Sequence, residues 1–292
     1  MLRGLFIAMV TPFEEDGSLN KGLLKELVEY QVSCGVDGLV PCATTSESPA
    51  LTAKEQEAMI EITVRNTPEK VTVIAGCGTN STAGSIENIR RAADLGADLA
   101  MTAAPYYNKP TQEGMYRHFS ELADRGGLPL LLYNVPGRTC VNIEPGTVER
   151  LAGHENIAGI KEAGGDLEQI SEIIFRCGDS LDLLSGDDAL TLPTLAVGGR
   201  GVVSVVGNIL PKPLLKMIAC FEAGNQEEAL KIHRDLLPLC QAMFIETNPV
   251  PVKEAMNMLG KGVGGVRPPL AELSENSRAE LKEVLKDSGL LE

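Results

Sequence analysis

The sequence predicts an α/β chain: a (β/α)8 barrel of the TIM type with a C-terminal helical appendage. Three observations lead there. Eight short apolar runs recur at spacings of about 20–35 residues, the interval a strand–helix–strand unit needs. Each run is nearly continuous rather than alternating, which suits parallel strands buried on both faces. The stretches between them carry helical periodicity with start and stop signals, and eight such units fill the roughly 200–250 residues of a closed barrel.

The strands are expected at residues 4–10, 38–40, 71–75, 99–103, 129–133, 157–161, 181–185 and 201–205. Before the second, Leu23, Leu24, Leu27, Val28 and Gln31 trace one largely apolar helix face, and Gly35 stands where a left-handed residue ends that helix. Thr52-Ala53-Lys54-Glu55 reads as a capping box, in which hydroxyl and carboxylate satisfy free N–H groups of the first turn. Gly96 closes the helix before the fourth strand in the same way. From about residue 211 the pattern is only helical, over 211–223, 226–246, 251–259 and 277–288. The expected division is a catalytic barrel over 1–223 and a helical domain over 224–292. The glycine-rich loop 260–265 lacks the spacing of a phosphate-binding loop, and Gly76-Cys77-Gly78 lacks the third glycine of a dinucleotide fingerprint.

Composition narrows the function. The formal net charge of −14 argues against nucleic acid or an anionic membrane as partner, since both select basic patches. No apolar run approaches the ~18 residues of a membrane span, and the run at 5–10 is too short for a secretory leader. The seven cysteines are scattered, with no C-x-x-C pair, and the three histidines are far apart. Reduced thiols, no metal and a cytoplasmic setting are expected.

One residue stands out chemically. Lys161 lies in the apolar run Ile157-Ala158-Gly159-Ile160-Lys161, and Tyr133 ends the run before it. Its amine either snorkels to water at the strand end or points into a dry pocket. In a pocket, desolvation favours the neutral amine, a nucleophile able to form a Schiff base with a carbonyl. Barrel chemistry sits at the C-terminal ends of strands. Those ends carry Ala43-Thr44-Thr45-Ser46-Glu47, Pro105-Tyr106-Tyr107, Tyr133-Asn134-Val135-Pro136-Gly137-Arg138-Thr139, Lys161, and Ser185-Gly186-Asp187-Asp188. Hydroxyls there could relay the protons of imine formation, and backbone N–H groups at a tight turn could hold a carboxylate.

These segments, with Val10-Thr11-Pro12-Phe13 and Asn248-Pro249-Val250-Pro251-Val252-Lys253, resemble the dihydrodipicolinate synthase family of pyruvate-dependent class I aldolases along essentially the whole chain. The resemblance implies condensation of pyruvate with L-aspartate 4-semialdehyde to 4-hydroxy-tetrahydrodipicolinate, on the route to diaminopimelate and lysine. It implies a Schiff base on Lys161 with no other cofactor, acid/base work by Tyr133 linked through Thr44 to Tyr107 of a neighbouring subunit, and a pyruvate carboxylate at Thr44-Thr45. Gly186 and Val203 would line the pocket, and Arg138 would meet the second substrate's carboxylate. Sister lyases of sugar acids generally lack that arginine. The alternatives are an aldolase of a 2-keto-3-deoxy acid and a non-catalytic keto-acid-binding barrel. The resemblance further implies small-molecule partners and a homotetramer built as a dimer of dimers. Ser48, Asn80 and Tyr106 would form a vestigial lysine site, with feedback weak because Gly84 stands where responsive members carry an acid. The family's usual Gly-Thr-Thr-Gly-Glu is here Ala43-Thr44-Thr45-Ser46-Glu47, so two positions where glycine is usual must be accommodated by residues with a Cβ.

Overall fold

The structure, a computed structural model, describes residues 2–292. Eight parallel strands close into a barrel in sequence order: β1 (Gly4–Ala8), β2 (Gly38–Val40), β3 (Thr72–Gly76), β4 (Leu99–Ala103), β5 (Leu130–Asn134), β6 (Ile157–Glu162), β7 (Asp182–Ser185) and β8 (Gly201–Ser204). Pairing of β8 with β1, Val203 opposite Phe6, completes the ring.

Strand alternation divides the apolar side chains into two cores. Leu131, Tyr133, Leu184, Val203, Phe6 and Ile74 fill the barrel interior. Leu130, Leu132, Ile160 and Leu183 point outward beneath the helices. This explains why the runs are continuous: both faces are buried, and each fully buried large aliphatic side chain contributes roughly 1.5–3 kcal/mol.

The capping box at Thr52 and Glu55 is formed, and Gly35 and Gly96 are left-handed, with φ of 86° and 88°. Several ends move. β1 stops at Ala8 rather than at residue 10, because beyond it only Met9 still donates to β2, at Val40. β3 is shifted one residue later, and the long C-terminal helix Gln226–Ala242 ends four residues early in a run of turns.

Two features place the site. In the β5–β6 pair, Tyr133 faces Lys161 and Asn134 faces Glu162, so the first two side chains share the interior face. After helix Gln226–Ala242 the chain returns to the strand-end face: Asn248, Pro249 and residues 267–270 lie against a cavity there. Among the described residues, no helix is long and apolar enough to cross a membrane.

Candidate active site

Lys161 is only 4% exposed and sits at the C-terminal end of β6, its Nζ 4.2 Å from the centre of the Tyr133 ring. A second buried lysine makes the contrast. Lys253, at 1% exposure, is paired with Glu47 at 2.8 Å, whereas among the described residues Lys161 has no carboxylate within ion-pair distance. An amine withdrawn from most of the solvent without an ion-pair partner is the arrangement a carbonyl nucleophile needs. Room for its stem comes from Gly186, where a Cβ would approach Lys161 Cε to 3.0 Å and Ala163 Cβ to 2.6 Å. Val203 is fully buried in the same interior core.

Tyr133 borders a cavity of about 470 Å³ whose wall also includes Thr44, Val135, Arg138, Asn248 and Arg267, while Lys161, Thr45, Gly186 and Val203 lie outside that wall, Lys161 behind the Tyr133 ring. Thr44 and Thr45 open a short 3-10 turn, Thr44–Ser46, after β2. At the start of such a turn N–H groups lack intrahelical acceptors and can meet an anion. The Thr45 hydroxyl is turned away, accepting from Asn248 Nδ2 at 3.0 Å. Arg138, on the four-residue helix Pro136–Thr139, is exposed and donates to the Asn248 carbonyl at 3.0 Å. The two glycine-usual positions prove compatible with side chains: Ala43 is extended, with φ −89° and ψ −167°, and Ser46 is also free of left-handed angles. The left-handed angles fall instead on Cys42 and Glu47.

Tyr107 is not part of this wall. Its side chain is 89% exposed, on a left-handed backbone with φ 68°. Ser48 and Tyr106 also line the cavity, but Asn80 does not: it is tied to Asn108, whose amide donates to the Asn80 carbonyl at 2.7 Å. Gly84 lies in the first turn of helix Thr82–Asp94.

Sequence reasoning missed the shell behind these residues. Glu162 is buried, and desolvation raises its carboxyl against hydrogen bonds from Asn134, the Gly164 N–H and Gln169. Asp188 is likewise raised by burial, while accepting from the Ser204 hydroxyl and the N–H groups of Val205 and Val206 at the end of β8. Burial lowers Lys253, opposed by Glu47. The cavity thiols are poor nucleophiles, since burial pushes Cys77 up to about 12 and Cys42 well above its ordinary range.

Fold and site together define a (β/α)8 barrel with a buried lysine at the C-terminal strand-end rim, unpaired among the described residues. The chain belongs to the dihydrodipicolinate synthetase family, whose profile it matches over residues 1–288. It is 50% identical over 291 residues to the 4-hydroxy-tetrahydrodipicolinate synthase of Citrifermentans bemidjiense, with 100% of both chains covered. Among solved structures it is similar to dihydrodipicolinate synthase from Thermotoga maritima, with a TM-score of 0.97, 42% identity and 100% of both chains covered. The enzyme from Aquifex aeolicus aligns with a TM-score of 0.96, 42% identity and 99% of both chains covered.

Proposed function

We propose that this chain is a Schiff-base lyase that condenses pyruvate with L-aspartate 4-semialdehyde to give 4-hydroxy-tetrahydrodipicolinate. The observation that carries it is Lys161: buried, without an ion-pair partner among the described residues, and 4.2 Å from the centre of the Tyr133 ring that borders the cavity. Family membership and relatives of that name at half identity support it.

Lys161 attacks the pyruvate carbonyl, and loss of water leaves the imine. Tyr133 shuttles the protons, in a relay through Thr44 to Tyr107 of a second copy. The turn at Thr44-Thr45 takes the pyruvate carboxylate, and Gly186 and Val203 close the pocket around the imine. Loss of a methyl proton gives the enamine, whose carbon attacks the aldehyde. The amine of the second substrate then displaces Lys161 as the ring closes. No metal or organic cofactor enters, because the protonated imine is itself the electron sink. Arg138 receives the carboxylate of the semialdehyde, a match for the guanidinium fork. Residues 1–223 form the catalytic barrel and 224–292 a helical domain closing one wall of the site. Ser48 and Tyr106 on the cavity wall, with Asn80 off it beside Asn108, are the proposed remnant of a lysine site. The working unit is a homotetramer, acting in the cytoplasm on small molecules.

Borohydride added with pyruvate should leave a stable adduct of the reduced imine, and peptide mass mapping should place it on Lys161. An adduct elsewhere, or none, sinks the mechanism.

A further inference from the structure

The turn that follows β2 is closed by backbone bonds from Ser46 N–H to the Ala43 carbonyl and from Glu47 N–H to the Thr44 carbonyl, yet it exits through a strained residue. Glu47 leaves it with φ 55° and ψ 36°, a left-handed conformation that a Cβ disfavours. Such an angle persists where surrounding structure over-determines it. Beyond the backbone bonds of its N–H and carbonyl, the Glu47 side chain adds a constraint from outside the turn. It is 3% exposed, and its Oε1 accepts from Lys253 Nζ at 2.8 Å while Oε2 accepts from the Arg267 backbone N–H at 2.8 Å. Lys253 Nζ and the Arg267 guanidinium both lie over the Phe13 ring, at 4.2 and 4.3 Å. Arg267 is anchored in turn by the Gly17 and Ala50 carbonyls. From the other side, the Ser46 hydroxyl donates to the Met9 carbonyl at 2.6 Å, and Thr11 donates to the Ser46 carbonyl at 2.6 Å.

A buried ion pair is a weak source of stability compared with apolar residues of the same volume, because both charges must be desolvated. Its use here is better sought in the conformation it imposes. We propose that Glu47 and Lys253 form a latch that fixes the left-handed exit of the Thr44–Ser46 turn, and so sets the affinity for the pyruvate carboxylate. This rests on the pyruvate function proposed above. Both are positioning residues, acting through the N–H groups of the turn.

Lys253→Met alone would leave Glu47 buried and unpaired, so paired variants are the decisive ones. In Glu47→Gln/Lys253→Met the charges go but the Cβ at residue 47 stays. In Glu47→Gly/Lys253→Met the latch goes, but glycine adopts the left-handed angle freely. The readouts are the pyruvate concentration giving half-maximal borohydride trapping at Lys161, and the KM for each substrate. The Gln/Met pair should raise the pyruvate half-saturation and KM about tenfold, leave the semialdehyde KM within about twofold, and still trap fully at saturating pyruvate. The Gly/Met pair should return to within about threefold of the parent. A general loosening of the fold would make the glycine variant worse and would raise both KM values together, and either result overturns the latch. So does a Gln/Met pair with the parent's pyruvate dependence. Absence of trapped imine in the parent enzyme instead overturns the pyruvate reading, and the latch with it.

Discussion

At the scale of single residues, two buried lysines show what a sequence can and cannot say. Lys161 is recognisable as a lone amine in an apolar strand, yet Lys253 in Val250-Pro251-Val252-Lys253 is also a lone amine in an apolar run, there at the start of a helix. What separates them is a partner 206 positions away: Glu47 neutralises Lys253, and no carboxylate reaches Lys161 among the described residues. Periodicity reports burial but not which distant charge arrives. The same limit hid the contacts of Asn248, whose amide donates to Thr45 and whose carbonyl accepts from Arg138, joining the two proposed substrate positions. Arg138 itself was visible, because a cation in the loop after Tyr133 must stand at the rim. Among the described residues its guanidinium hydrogen-bonds only to a carbonyl, so its charge is available to an anionic substrate. Arg138→Ala should therefore raise the KM for aspartate semialdehyde about 30-fold or more, the equivalent of roughly 2 kcal/mol or above for a lost charged hydrogen bond. Borohydride trapping with pyruvate should stay near the parent's. An unchanged semialdehyde KM would remove Arg138 from substrate binding.

At the scale of elements, the strands were legible because each is an uninterrupted apolar run, and their ends were less so because the last ladder bonds depend on neighbours. The helix Ala53–Arg65 shows a local signal extended by a distant residue. Its capping box was readable from Thr52 and Glu55, but Glu55 also receives the Arg267 guanidinium on both oxygens. Arg267 hydrogen bonds, more than the capping bonds, hold the Glu55 carboxyl down to about 2, against an ordinary value of 4.5. A carboxyl depressed in the folded state stabilises above its unfolded pKa, and that stabilisation is lost as pH falls through the folded one. Glu55→Gln keeps the helix cap, since glutamine also serves a capping box, and removes only the charge. At pH 7 it should lower stability by about 1 kcal/mol, allowing for solvent screening of a partly exposed pair. The gap between parent and variant should narrow steadily from pH 5 towards pH 3, measured by urea unfolding. A gap independent of pH would mean that packing, not charge, is what the substitution removes.

At the scale of the whole molecule, Tyr107 is the residue that a single barrel leaves unexplained. Its side chain is 89% in water, on a left-handed backbone that a bulky residue adopts at a cost. Within its own chain it is absent from the wall of the cavity. A phenol exposed in this way suits a site in a second copy, which is the shared relay proposed above. The symmetry of a closed dimer makes this testable, because each chain would lend its Tyr107 and receive its partner's. Lys161→Ala should be inactive and Tyr107→Phe severely impaired. In a mixed dimer one site loses both groups. The other combines the intact Lys161 of one chain with the intact Tyr107 of its partner. An equal mixture refolded together makes about half its dimers mixed, each with one working site, so activity should reach about a quarter of the parent's. Either variant refolded alone should stay far below that level. If mixed dimers form, as mass spectrometry of differently tagged chains can establish, and activity stays at the level of the parents, Tyr107 serves its own chain or none, and the site is complete within one barrel.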